Sequence, residues 1–265
     1  MSEIEVAGAR IEYARIGAAD MAKPTLVFLH EGLGSLSLWR DFPAAVAAAT
    51  GCPAFVYSRQ GYGKSDPVAL PRPLDFMQRE AMGPLPALLQ AAKIDDAILI
   101  GHSDGASIAL VYAGLREKAS ATRADGGPRL RGLAVLAPHV FVERFCVDAI
   151  ARTDEAYRTT DLRARLERHH GTNVDCAFRG WADCWLDPKF LAWNIESYLG
   201  SIAVPTLVIQ GEDDEYGTLE QVARIRRGVR SPVETLVLRQ CGHSPQRDRP
   251  DATLDALALF VSGLL

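Results

Sequence analysis

Ala97-Ile98-Leu99-Ile100 runs without interruption into Gly101-His102-Ser103-Asp104-Gly105, and the stretch from Ala106 to Leu115 continues with helix-forming residues. A short apolar run bounded by glycine reads as a strand covered on both faces. When such a strand turns directly into a helix, the residue between them sits on a sharp bend. Only glycine-sized neighbours fit there, and the middle side chain stands clear at the strand's carboxyl end. Ser103 is therefore a candidate nucleophile, and its context says more than the bare G-x-S-x-G pattern.

Similar runs recur along the chain. Thr25 to Leu29, Ala54 to Tyr57, Leu133 to Leu136, Thr206 to Ile209 and Thr235 to Leu238 read as further buried strands. Glu3 to Val6 and Arg10 to Arg15 flank Ala7-Gly8-Ala9 as an edge hairpin. Helical patterns alternate with them at Phe42 to Ala49, Asp75 to Ala92, Asp104 to Leu115, Leu219 to Arg227 and Ala252 to Leu264. This rhythm predicts an α/β protein with a doubly wound, mostly parallel sheet of about eight strands, whose ligands bind beyond the carboxyl ends of the strands.

Two stretches, Asp66 to Pro73 and Arg116 to Arg131, read as surface connections with solvated basic residues. From about His139 to Val204 the rhythm breaks, with no convincing strand and with Trp181, Trp185 and Trp193 close together. We expect a helical cap inserted at 139–204 into a core made of 1–138 and 205–265. Its helices are expected at Asp161 to His170 and Arg179 to Ile195, with part of its aromatic face lining a cavity above Ser103.

Composition narrows the function. The 265 residues suffice for a full enzyme core, and a formal net charge of −4 gives no reason to expect nucleic acid or an anionic membrane as partner. The start, Met1-Ser2-Glu3-Ile4-Glu5, has no signal-peptide pattern, and no run of 18 apolar residues occurs. The expectation is a soluble cytoplasmic protein with a small-molecule substrate; oligomeric state is not readable. The five cysteines, Cys52, Cys146, Cys176, Cys184 and Cys241, form no C-x-x-C pair and read as buried free thiols. Cys241 and His243, two residues apart in a turn, are badly placed to act as a nucleophilic pair.

A serine hydroxyl needs a base within hydrogen-bond reach and a carboxylate to orient that base. Among the six histidines, His243 follows the strand Thr235 to Leu238 in Gln240-Cys241-Gly242-His243-Ser244-Pro245, at the catalytic edge. His30 is read as ordering its loop, His102 as packing, His169 and His170 as solvent-facing, and His139 as lining the pocket. After Thr206 to Ile209 come four carboxylates, Glu212-Asp213-Asp214-Glu215, one of which should reach His243. The order serine, acid, histidine is the order of a triad built on a hydrolase sheet.

On these motifs nearly the whole chain resembles the α/β-hydrolase fold family. Gly101 to Gly105 is similar to its nucleophile elbow, Gly211-Glu212-Asp213-Asp214 to its acid turn, and Gly242-His243 to its histidine loop. The resemblance selects Asp214 over Asp213. Ser58-Arg59-Gln60-Gly61-Tyr62-Gly63-Lys64-Ser65-Asp66 is similar to the family's D-x-R-G-x-G-x-S segment, with Ser58 in place of the acid.

The oxyanion hole would take the N–H of Asp104 and a second N–H from His30-Glu31-Gly32-Leu33-Gly34-Ser35, which resembles the family's His-Gly-x motif. That comparison selects Gly32, with Glu31 as the fallback. The Glu31 and Asp104 side chains are expected either both to turn away and bond structurally, with Arg59 as a partner, or to have one of them face the pocket and select a cationic or donor-bearing substrate. Together with His139, Trp181 and Trp185, Glu31 completes the expected pocket.

The resulting expectation is a serine hydrolase acting on a small carboxylic ester, without metal or organic cofactor. Thioesters, lactones and carbon–carbon bonds are alternatives under the same triad, and a non-catalytic receptor on the same fold is an alternative of another class. A serine at position 103 argues against the family's haloalkane dehalogenases and epoxide hydrolases, which need a carboxylate nucleophile.

Overall fold

The computed structural model describes residues 2–17, 22–120 and 127–265. Its eight strands are β1 (Ser2–Val6), β2 (Ala9–Ile16), β3 (Thr25–Leu29), β4 (Ala54–Tyr57), β5 (Asp96–His102), β6 (Arg129–Leu136), β7 (Thr206–Gly211) and β8 (Val233–Leu238). They lie in the order β1-β2-β4-β3-β5-β6-β7-β8, with β2 antiparallel to both neighbours and parallel pairing from β4 to β8. Ala7 and Gly8 both take positive φ, 51° and 83°, which makes the two-residue turn that pairs Val6 with Ala9 in the edge hairpin.

Continuous apolar runs are what a sheet covered on both faces requires. Successive side chains alternate, so Val27, Leu29, Ala97, Leu99, Leu133 and Val135 enter one core while Leu26, Phe28, Ile98, Ile100, Ala134 and Leu136 enter the other. The second core is closed by the helices Phe42–Thr50 and Pro250–Ser262. The direction of winding reverses at β3, whose neighbours are β4 and β5. Open α/β sheets bind their ligands at such a switch point, and here the ends of β3 and β5 place Glu31 beside Ser103.

Several boundaries differ from the sequence reading. The helix expected over Asp75 to Ala92 is two helices, Phe76–Met82 and Pro84–Ala91, because Pro84 has no N–H and its ring excludes the preceding residue from the helical region. The connection expected over Arg116 to Arg131 begins as helix, since Asp104–Ser120 is continuous, and ends as strand from Arg129; residues 121–126 lie outside the described residues. Arg72, in the other connection, is half-buried rather than freely solvated. Its guanidinium lies 4.9 Å from the Tyr62 ring centre and donates to the Gln60 carbonyl at 2.8 Å.

Between β6 and β7 the chain forms helices at Arg144–Thr159, Leu162–His170 and Val174–Leu186 and a short one at Glu196–Leu199, with one isolated strand bridge, Phe141 to Asn194, at the base. The Arg144–Thr159 helix was not anticipated. The helix expected to run to Ile195 stops at Leu186, because Pro188 restricts Asp187 to an extended conformation and the Asp187 carboxylate caps the next turn. Of the two adjacent histidines, His170 is not solvent-facing: it is buried, accepts the Gly63 N–H at 3.1 Å and donates to the Leu33 carbonyl at 3.0 Å, whereas His169 is half-exposed with its Nδ1 at 2.9 Å from Ser37 Oγ. All five cysteines are free, four of them buried and Cys176 partly so. No helix among the described residues is long and apolar enough to cross a membrane.

Candidate active site

Gly101 and His102 are the last residues of β5 and Asp104 the first of the following helix, so Ser103 alone makes the bend. It does so at φ +52°, a left-handed conformation that is unfavourable for a non-glycine residue. A Cβ on Gly101 would stand 2.5 Å from the Gly105 carbonyl oxygen and 2.6 Å from the Ala106 Cα, and one on Gly105 would strike the Leu29 carbonyl. Backbone therefore fills the space on both sides of the serine, which is why both flanking positions are glycine.

The acid turn and the histidine loop reach the same point from β7 and β8. His243 Nε2 lies 2.8 Å from Ser103 Oγ, and its Nδ1 lies 2.9 Å from each carboxylate oxygen of Asp214. A carboxylate can only accept, so the neutral ring carries its proton on Nδ1 and leaves the Nε2 lone pair for the serine hydroxyl. Asp214 is itself held: Oδ1 accepts from the N–H groups of Tyr216 (2.8 Å) and Gly217 (3.2 Å), and Oδ2 accepts from Gln210 Nε2 (2.6 Å). Burial acts to raise the Asp214 pKa, but the hydrogen bond and charge of His243 and the Tyr216 N–H outweigh it, and the net shift is downward. For His243 burial acts downward and is outweighed by the Asp214 hydrogen bond and charge, so its pKa is raised above 6.5. Asp213, by contrast, is exposed and meets the loop through its backbone N–H to Cys241.

A cavity of about 230 Å³ opens onto Ser103 and His243 and is walled by Glu31, Gly32, His139, Trp181 and Trp185. The structure thus brings together every residue named for the pocket. The indole of Trp181 closes directly on Gly32, where a Cβ would collide with it. His139 is buried; desolvation and the neighbouring His243 push its pKa down to about 4, so it is neutral at pH 7 and donates Nε2–H to the Tyr216 carbonyl at 3.0 Å. Cys146, Ile150 and Tyr216 also line the cavity and were missed. Cys146 and Ile150 share a face with Ala149 and Tyr157 of the Arg144–Thr159 helix, and this 3-4 spacing of buried residues was the available signal.

The two carboxylates beside the proposed oxyanion donors behave differently from each other. Asp104 is fully buried and does not line the cavity; desolvation raises its pKa against the opposing charge of Arg59 and the neighbouring Trp185 indole N–H. Glu31 faces the cavity, and its Oε2 lies 3.3 Å from Nδ1 of His102. Arg59 bonds neither carboxylate. Its N–H meets His30 Nε2 at 3.0 Å and its guanidinium meets the Glu31 carbonyl at 2.9 Å, so His30 and Arg59 together order the loop after β3. His102, read as packing, is a hydrogen-bonding residue whose Nε2 donates to the His243 carbonyl at 2.7 Å.

Ser58 also acquires a carboxylate, from a place that local sequence cannot show. Its hydroxyl donates to buried Glu12 of β2 at 2.8 Å and accepts the Leu36 N–H at 2.9 Å, while the same Glu12 oxygen accepts the Lys64 N–H at 3.0 Å. A strand neighbour thereby supplies the acid missing from position 58 and ties together the two loops on that side of the site.

A family model described as the alpha/beta hydrolase family matches residues 26–256. The chain is 26% identical over 257 residues to the 2-hydroxy-6-oxononadienedioate/2-hydroxy-6-oxononatrienedioate hydrolase of Paraburkholderia xenovorans (strain LB400), covering 86% of this chain and 83% of the relative. Among solved structures, the enol-lactonase from Burkholderia xenovorans LB400 superposes with a TM-score of 0.74 at 20% identity, covering 98% of this chain and all of the other. A thermophilic esterase from Thermogutta terrifontis gives 0.71 at 16% identity, covering 99% and 98%. At these identities the structural likeness is one of fold.

Proposed function

Since the chain belongs to the alpha/beta hydrolase family, we propose that it is a serine hydrolase that opens a small-molecule carboxylic ester through an acyl-enzyme. The observation that carries this reading is the continuous path from Asp214 through His243 to Ser103, with contacts of 2.9 and 2.8 Å. His243 Nε2 takes the hydroxyl proton as Ser103 Oγ bonds to the carbonyl carbon. The carbonyl oxygen becomes an oxyanion between the N–H groups of Asp104 and Gly32. As the bond to the alcohol breaks, His243 returns the proton to the leaving oxygen. Water then attacks the acyl carbon, giving a proton to His243, and the serine leaves with that proton.

Asp214 holds the tautomer and stabilises the imidazolium. These steps draw on no metal or organic cofactor. Residues 139–204 act as a cap whose Trp181 and Trp185 present an apolar wall to the substrate. The 230 Å³ of the cavity suits a small acyl or alcohol group.

A second reading keeps the triad and changes the bond. The curated relative bears the name of a hydrolase of oxo-dienedioates and one fold neighbour that of an enol-lactonase, which favours lactones and carbon–carbon bonds beside the carbonyl as further substrates. Turnover of p-nitrophenyl acetate, lost in Ser103→Ala, tests acyl transfer, and a panel of esters, thioesters, lactones and vinylogous diketones ranks the bond cleaved. Equal turnover by wild type and Ser103→Ala would defeat the proposal. Absence of turnover on the whole panel, with tight binding of one member, would favour a receptor.

A further inference from the structure

Three loops meet at the reacting centre, and one buried ring joins them. His102 stands on the elbow with its side chain only 2% exposed. Its Nε2 lies 2.7 Å from the His243 carbonyl, and because a carbonyl only accepts, that nitrogen carries a proton. Its Nδ1 lies 3.3 Å from Oε2 of Glu31, on the loop that carries Gly32. A contact between this nitrogen and the carboxylate is attractive when Nδ1 also bears a proton, and the ring is then an imidazolium. The groups facing the ring are Glu31 from the loop after β3, His243 and Gln246 from the histidine loop, and the edge of Trp39.

Gln246 fits either form of the ring. Its amide nitrogen lies 3.1 Å from Nδ1, its oxygen is buried without a hydrogen-bond partner among the described residues, and a half-turn of the amide presents that oxygen to an Nδ1 proton. Space for the pair is built into the backbone. A Cβ at Gly34 would stand 2.5 Å from the Glu31 Oε2, so the absence of a side chain there is what lets the Glu31 carboxylate fold back toward His102.

The chemistry makes this contact matter. A lone carboxylate on the oxyanion loop would oppose the negative charge that develops on the substrate oxygen, and the penalty would fall on the transition state rather than on the bound substrate. Building on the acyl-transfer reading above, we propose that His102 is a positioning residue that supplies the counter-charge to Glu31 and pins the backbone of the His243 loop, so that a glutamate can occupy the oxyanion loop of an active hydrolase. The triad alone does not require this residue. It follows from the glutamate.

The test is a double-variant cycle on p-nitrophenyl acetate. His102→Gln puts an amide N–H where Nε2 stands but cannot carry the charge, and it lowers kcat about tenfold to a hundredfold while KM changes less than about threefold. Adding Glu31→Gln to His102→Gln removes the stranded charge and restores most of the lost kcat, which a purely structural role for His102 would not do. A double variant no faster than His102→Gln alone overturns the proposal. A second readout needs no turnover: in the Ser103→Ala protein, adding Glu31→Gln moves the ¹⁵N resonance of His102 Nδ1 at fixed pH, because the Glu31 contact is lost. An unmoved Nδ1 resonance overturns the pairing, whereas wild-type turnover by Ser103→Ala overturns only the acyl-transfer reading.

Discussion

Replacing Asp214 with asparagine tests the orienting role through the proton it would misplace. Oδ1 of Asp214 accepts from two backbone N–H groups, at 2.8 Å from Tyr216 and 3.2 Å from Gly217, so an asparagine must turn its carbonyl oxygen to that side. Its NH₂ then occupies the place of Oδ2, facing His243 Nδ1 and Gln210. Nδ1, which meets both carboxylate oxygens at 2.9 Å, then faces a donor beside the one remaining oxygen; in the tautomer that accepts from the new NH₂, the imidazole proton moves to Nε2, where it confronts the Ser103 hydroxyl. The base then has no lone pair for the serine. A wrong tautomer of this kind costs about 10⁴ in turnover.

Asp213→Asn is the matched control, because that side chain is exposed and outside the hydrogen-bonded path; its kcat should stay within about twofold of wild type. Steady-state release of p-nitrophenolate measures both, with circular dichroism to show that both proteins are folded. Equal kcat in the two variants, or Asp214→Asn within tenfold of wild type, would refute the argument.

The raised His243 pKa has a sign that can be checked: the base works neutral, so kcat/KM rises with pH and reaches half its plateau above 6.5, and a midpoint below 6 in the pH profile would contradict it. Buried His139, with its pKa pushed down to about 4, holds its proton more weakly folded than unfolded; its contribution to stability is full above 6.5 and is lost as pH falls toward 4, so the melting temperature should decline across that window. Gly105→Ala puts a methyl group against the backbone of Leu29 and His30 and should sharply lower the melting temperature or the yield of folded protein, whereas Gly200→Ala, with nothing within 4 Å, should melt near wild type. Glu12→Ala leaves the buried Ser58 hydroxyl without its acceptor and should cost about 1–3 kcal/mol in denaturant unfolding, with little loss for a surface control such as Glu5→Ala.

Much of this architecture is legible in the sequence, and the reason lies in which residues carry the signal. The strands β3 to β7 declare themselves because both faces are buried, which makes their apolar runs continuous and hard to mistake. Ser103, His243 and the acid turn each follow such a strand, so a local reading already places them on one edge. The choice of Asp214 over Asp213 came from a resemblance; the structure brings the Asp214 oxygens to within 2.9 Å of His243 while Asp213 stays in solvent. The helical segment between β6 and β7 was read less well. Its elements are short, interrupted by proline and glycine, and amphipathic over only two or three turns, so their ends shifted and the Arg144–Thr159 helix was overlooked.

By itself, then, the chain's residue pattern determined a two-faced parallel sheet and the kinds of groups at its edge, because strand burial and turn chemistry act over a few neighbouring residues. What tertiary structure alone decided are the pairings between loops distant in sequence. Glu12 serves Ser58 across 46 positions, His170 bonds Gly63 and Leu33 rather than solvent, and Glu31 meets His102 across 71. Side-chain direction settles those partners, and direction is set only when the sheet has brought its loops together. The same holds for Asp104 and Glu31, two carboxylates alike in sequence context. One ends fully buried and the other faces the catalytic cavity, because the helix start turns the first inward and the room left at Gly34 lets the second fold toward His102.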